Sequence, residues 1–128
     1  MQLHHVAVVC RSEELADRFY GGILGLKRIK SSLLQKELAG LIFDMALECP
    51  FMLYGNETLF VEVFVPGRVQ EKLASFEHMC LEVEDREKLL SKCRAAGLRV
   101  KEIPKGDSLL TFIADFDGNL FEIKGIKK

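Results

Sequence analysis

The sequence has no excess of charge of either sign: 18 Lys and Arg stand against 19 Asp and Glu, a formal net charge of -1. That balance creates no long-range field to draw in nucleic acid or anionic lipid, and no basic block interrupts it, so neither is expected as a partner. No apolar run comes near the roughly 18 residues needed to cross a bilayer, so no membrane span is expected. The first turns of the chain carry His, Arg, Glu and Asp where an export signal is apolar, and the expected location is the cytoplasm. The cysteines, Cys10, Cys49, Cys80 and Cys93, form no C-x-x-C pair, which argues against a zinc knuckle or a thioredoxin-type motif. They read as reduced, small, mostly buried hydrophobes.

What is present is an ordinary globular composition, 48% apolar and 29% charged over 128 residues. This length predicts one domain, 1–128, large enough to build a core without a metal or disulfide staple.

Within it one plan occurs twice. His5-Val6-Ala7-Val8-Val9 is followed by a polar break at Arg11-Ser12, a helical stretch over 13–24, and Gly25-Leu26-Lys27-Arg28-Ile29. His78-Met79-Cys80-Leu81-Glu82-Val83 is followed by Glu84-Asp85, a helical stretch over 86–96, and Gly97-Leu98-Arg99-Val100. A repeat of this kind fixes the architecture. Alternation in Val6, Val8, Cys10 and in Met79, Leu81, Val83 predicts strands, while Leu15, Phe19, Ile23 and Leu89, Cys93 predict the inner faces of helices. Ser12 and Asp85 suit helix N-caps, and Gly25 and Gly97 suit left-handed helix ends. Each copy then adds two strands around a turn, at Gly55-Asn56-Glu57 in the first and Asp115-Phe116-Asp117-Gly118 in the second. Residues 33–44 form an insertion in the first copy alone, expected as a short helix or flap. Pro66-Gly67 ends the first module, 1–66; a linker reaches to Ala74, and the second module is 75–128. The expected fold class is α+β: two βαβββ modules whose helices cover one sheet face.

Period-two alternation then selects what looks out from the opposite, open face. His5, Ala7 and Val9 point there from the first strand, and His78 and Cys80 from its counterpart. Phe60, Glu62 and Phe64 do so in the last strand of the first copy, and Leu120, Glu122 and Lys124 in the last strand of the second. Each copy thus offers one imidazole and one carboxylate, and two of the three histidines fall at equivalent repeat positions. Together His5, Glu62, His78 and Glu122 form a mixed N/O set suited to one divalent metal ion with room left for water or substrate, and Ni, Co, Mn and Zn all accept it. Glu62, between two phenylalanines, needs such a cation to offset the cost of burying a carboxylate. His4 faces the other way by alternation and is assigned to structure or surface; Glu48 and Glu82 read as solvated strand-end charges.

These segments resemble the vicinal oxygen chelate superfamily, which includes glyoxalase I, methylmalonyl-CoA epimerase, extradiol dioxygenases and fosfomycin and bleomycin resistance proteins. The resemblance spans the chain and rests on His5-Val6-Ala7-Val8-Val9, Leu24-Gly25-Leu26, His78-Met79-Cys80-Leu81-Glu82-Val83 and Asp115-Phe116-Asp117-Gly118-Asn119-Leu120-Phe121-Glu122-Ile123. It implies that the modules form a cupped mixed sheet and that His5, Glu62, His78 and Glu122 fall on the family's four metal ligands. Arg11-Ser12 replaces an acidic residue that many relatives carry, and Phe116 stands where they have Pro.

By that resemblance the expected activity is that of a glyoxalase-I-like lyase or isomerase. It moves a proton at a carbon next to a carbonyl, through a metal-bound enediolate, with Glu122 as base and Glu62 as its counterpart. The substrate is a small molecule with vicinal oxygens, and the assembly a homodimer. Two alternatives stand beside it: a methylmalonyl-CoA-epimerase-like enzyme, and a non-catalytic, resistance-type module that sequesters a small molecule.

Overall fold

The computed structural model describes residues 1–68 and 73–126, so the middle of the expected linker, 69–72, lies outside the described residues. The chain divides into two compact units, Met1–Glu71 and Lys72–Lys128. That division falls inside the stretch assigned to the linker between modules 1–66 and 75–128.

The first unit runs β1 (Val6–Val9), α1 (Glu13–Ala16) continuing into a π-helical segment (Asp17–Ile23), β2 (Lys27–Leu34), α2 (Lys36–Phe43), β3 (Cys49–Gly55) and β4 (Phe60–Phe64). The Ser12 side chain accepts the Leu15 N–H at 3.2 Å and caps α1, with Glu13 and Glu14 in its electropositive first turn. Gly25 leaves the helix at φ 72°, a conformation open to glycine without steric cost. The expected stripe of Leu15, Phe19 and Ile23 is corrected by the winding. The buried residues are Ala16, Phe19 and Tyr20, while Leu15 and Ile23 are half-buried, because the Leu24 N–H reaches back five residues to the Phe19 carbonyl. The insertion is partly strand: Leu33 and Leu34 complete β2, and α2 occupies the remainder.

The strands form one mixed sheet in the order β1-β4-β3-β2, with β1 and β4 parallel and the other neighbours antiparallel. Val61, Val63, Met52 and Tyr54 are buried on one face. Tyr20 stands against Tyr54 there, ring centroids 5.7 Å apart. The Tyr54 hydroxyl donates to Asp17, whose carboxylate also receives Arg28 at 3.1 and 3.2 Å, tying the π-helical segment to β2 and β3.

The second unit repeats the plan as β5 (Met79–Val83), α3 (Arg86–Ala95), β6 (Val100–Lys105), β7 (Ser108–Ala114) and β8 (Leu120–Gly125). The Asp85 carboxylate caps α3 at the Lys88 N–H, 3.0 Å, and Gly97 follows at φ 75°. The sheet order β5-β8-β7-β6, again with its first pair parallel, matches that of the first unit. Phe121, Ile123, Ile113 and Thr111 are buried on one face, and Leu89, Leu90 and Cys93 are buried on α3. Two βαβββ modules in an α+β arrangement are therefore observed, the first with an additional helix.

Of the cysteines, Cys10, Cys49 and Cys93 are buried as expected, whereas Cys80 is exposed. The exception follows from its register: Cys80 pairs with Glu122 and shares that residue's less covered face.

Candidate functional site

The register of each parallel pair sets the position of its carboxylate. Ala7 pairs with Glu62 in the first unit, and Cys80 with Glu122 in the second. His5 and His78 stand immediately before β1 and β5, two residues ahead of those partners, and each is brought near one glutamate. In the first unit His5 Nε2 lies 3.9 Å from Glu62 Oε1, with the side chains 38% and 22% exposed. In the second, His78 Nε2 lies 3.8 Å from Glu122 Oε1, with exposures of 36% and 18%. Both separations exceed hydrogen-bond length. They approach the spacing of two donors each about 2.0–2.2 Å from one ion.

The imidazoles are held from behind. His78 Nδ1 donates to the Phe76 carbonyl at 2.8 Å, and its ring meets Phe112 edge-on, centroids 5.7 Å apart. A carbonyl only accepts, so Nδ1 carries a proton there and Nε2 is left facing Glu122. His5 Nδ1 instead lies 2.8 Å from His4 Nδ1, with the two rings edge-to-face. His4 also stacks near Phe60, centroids 6.4 Å apart.

His4 makes one contact that alternation does not predict. It is exposed, as expected of a surface residue, yet it supports His5. The adjacent His-His pair was the available signal for that contact.

Glu122 has a second neighbour, Lys124 Nζ, 3.9 Å from Oε2 and 62% exposed. Such a solvated pair contributes little energy but biases the local charge. The Cys80 thiol is held above its ordinary pKa, first by desolvation and then by the charge of Glu122. The approach to β8 is fixed by Asp115. Its carboxylate accepts the N–H groups of Asp117 and Asn119, both at 2.9 Å, and the Asn119 amide at 2.7 Å. Asp115 and Asn119 are buried, and Gly118 takes φ 84° between them, so the turn delivers Glu122 in a defined register. Glu48 and Glu82 are exposed.

Beside the first pair, unit 1 holds a cavity of about 290 Å³. Ala7, Val9 and Phe64 line it from the sheet, Ala39 and Phe43 from α2, and Leu47 from the segment before β3. Phe64 stacks on Phe51, centroids 5.3 Å apart, and meets Phe43 edge-on at 5.7 Å.

Several solved structures share the fold at low sequence identity. The fosfomycin resistance protein FosX from Listeria monocytogenes, in a hexagonal crystal form, is 17% identical with a TM-score of 0.72, over 99% of this chain and 94% of that one. A glyoxalase family protein from Bacillus cereus is 16% identical with a TM-score of 0.78, over 98% and 93% of the two chains. FosX from Listeria monocytogenes complexed with Mn(II) and sulfate is 16% identical with a TM-score of 0.70, over 98% and 92%. Among curated proteins none matches the chain. The family model of the Glyoxalase/Bleomycin resistance protein/Dioxygenase superfamily matches residues 2–123, and with both modules and their register in place the chain belongs to that superfamily.

Proposed function

We propose that the protein is a metal-dependent lyase or isomerase of the glyoxalase I type, moving a proton next to a carbonyl in a small molecule with vicinal oxygens. The observation that carries this reading is the repeated pair, His5–Glu62 at 3.9 Å and His78–Glu122 at 3.8 Å, each set by the same strand register. One imidazole and one carboxylate are too few for a divalent first-row ion, which commonly takes about four or more ligands. Two such pairs supply four, from one chain or from two chains of a homodimer. The donor chemistry fits Ni, Co, Mn or Zn: carboxylate oxygens and an Nε2 whose ring is fixed at Nδ1. The Mn(II) complex of FosX, a protein of the same fold, supports a divalent ion here.

When bound, the ion supplies Lewis-acid polarisation of the substrate carbonyl. The chain's own groups do the rest. His5 and His78 stay neutral and hold their ligand positions. Glu122 takes the proton as the C–H bond breaks and returns it to the neighbouring carbon or to the opposite face. Glu62 is its counterpart on the first module. Exposed Leu38, Leu41 and Ile42 on α2 support a homodimer, and reduced, mostly buried thiols suit a cytoplasmic setting. No helix among the described residues is long and apolar enough to cross a membrane.

The deciding experiment is an assay of metal-loaded protein. Turnover of a hemithioacetal to a thioester is expected. Metal-dependent exchange of the α-proton of an acyl-CoA in deuterated water, without that turnover, would move the reading to an epimerase. Tight ligand binding without turnover, unchanged by chelator, would replace the enzyme with a binding module.

A further inference from the structure

We propose that the cavity in unit 1 is a subsite for an uncharged apolar substituent of the substrate, aliphatic or aromatic, reached directly from the His5–Glu62 pair; the assignment to substrate rests on the function proposed above. The lining side chains are apolar throughout, and the one heteroatom with a proton to give, Cys49 Sγ, donates to the Pro50 carbonyl at 3.4 Å. Burial keeps that thiol protonated, so it offers no charge. An anionic group entering this cavity loses its hydration and finds no cation among the lining residues, a cost of several kcal/mol.

Size and position identify the occupant. About 290 Å³ is roughly twice the ~150 Å³ apolar cavity that holds benzene. It admits a ring with a short tail or a medium alkyl chain, whereas a protein helix, about 10–12 Å across, does not fit. Ala7 lines the cavity and is also the register partner of Glu62; Phe64 lines it two residues beyond Glu62 on the same strand face. Ala7 stands directly across from Glu62, about 4.8 Å away between strands, so a group attached to a carbon held at the pair faces the Ala7 end of the cavity, with the Phe64 end about 7 Å further along the strand.

In the first module the insertion closes this space. α2 and the Met45–Leu47 segment form its outer wall, whereas β6 and β7 of the second module connect directly through Gly106 and Asp107. A substrate with one apolar arm is therefore expected to place that arm on the first module.

The test uses two ligand series on the intact protein. Butan-1-ol to octan-1-ol, titrated without added metal and followed by methyl NMR, are expected to give saturable shifts at Val9, Leu34 and Leu47, with Kd falling about fourfold per methylene. Absence of saturable shifts, or shifts confined to Leu38, Leu41 and Ile42, would overturn the subsite. Alkyl hydroxamates, whose head group carries vicinal oxygens, are then titrated into metal-loaded protein. The same fourfold gain per methylene from acetohydroxamate upward is expected, with a terminal carboxylate on the chain abolishing it. Ala7→Phe, at an exposed position, and Phe43→Asp are each expected to flatten both series. Equal affinity for short and long hydroxamates would overturn the substrate assignment. Failure of acetohydroxamate itself to bind would instead remove the proposed metal function, and the alcohols alone would then decide whether the cavity takes an apolar group.

Discussion

His78 and Phe76 are joined by a 2.8 Å bond from the imidazole Nδ1 to the main-chain carbonyl, which leaves Nε2 facing Glu122. In the first module the same support comes from a side chain, since His5 Nδ1 lies 2.8 Å from His4 Nδ1. The two halves present nearly the same donor pair but orient it differently, one through a carbonyl that cannot ionise and one through a second imidazole.

His4→Phe removes that support while keeping a ring near Phe60. Loss of a group that orients a metal-bound histidine typically costs about 10–100-fold in metal affinity, and that loss is expected for divalent-ion binding measured by calorimetry. Because His4 is exposed, stability should change by less than about 0.5 kcal/mol. Unaltered ion affinity in this variant would show that His4 is merely adjacent.

Tyr54 is fully buried and its hydroxyl donates to Asp17, the residue at which α1 passes into the π-helical segment. Tyr54→Phe leaves Asp17 without that donor and should cost about 1–3 kcal/mol in urea unfolding. The Arg28–Glu13 pair is more exposed, so Glu13→Ala should cost no more than about 1 kcal/mol. A reversed order of the two effects would mean that the buried hydroxyl does not anchor the helix.

Thr111 is 1% exposed on the inner face of β7, and its hydroxyl has no hydrogen-bond partner among the described residues. Thr111→Val replaces that hydroxyl with a methyl and keeps β-branching, so stability should hold or rise by about 1 kcal/mol. A clear fall in Tm would reveal a hydrogen bond made by that group.

Stability should also decline in alkali. Burial holds the Cys49 and Cys93 thiols above their ordinary value of 9.0. Burial, and then the bond to Asp17, raise Tyr54 above its ordinary 10.0. The folded chain keeps these protons at a pH where the unfolded chain releases them. Their contribution is therefore complete below about pH 9 and is lost as pH rises above it. Thermal unfolding followed from about pH 7 to 11 should show a plateau and then a falling Tm; a Tm that rises over the alkaline range would contradict this.

Much of the fold was legible because local chemistry and the repeat agree. Ser12, Asp85, Gly25 and Gly97 mark helix ends by capping and φ preference, and the alternation of Val61 and Val63 against Glu62 gives the strand's two faces. The pairing of each histidine with a glutamate followed from the same alternation. Three features were less accessible. The π-helical winding after Ala16 moved burial from Leu15 and Ile23 to Ala16 and Tyr20, because a wider turn departs from the 3.6-residue period. The support that His4 gives His5 is a contact between adjacent side chains, which strand alternation does not describe. The insertion announced a helix, but its role as the wall of an apolar cavity depends on tertiary contacts of Ala39 and Phe43 with the sheet.

Metal content tests the central claim most directly. Purified protein stripped with chelator and reloaded should take up one divalent ion per chain by elemental analysis, with Glu62→Gln and Glu122→Gln each lowering affinity at least about tenfold at unchanged circular dichroism. Failure to take up any divalent ion, or full retention of it by both variants, would contradict the account.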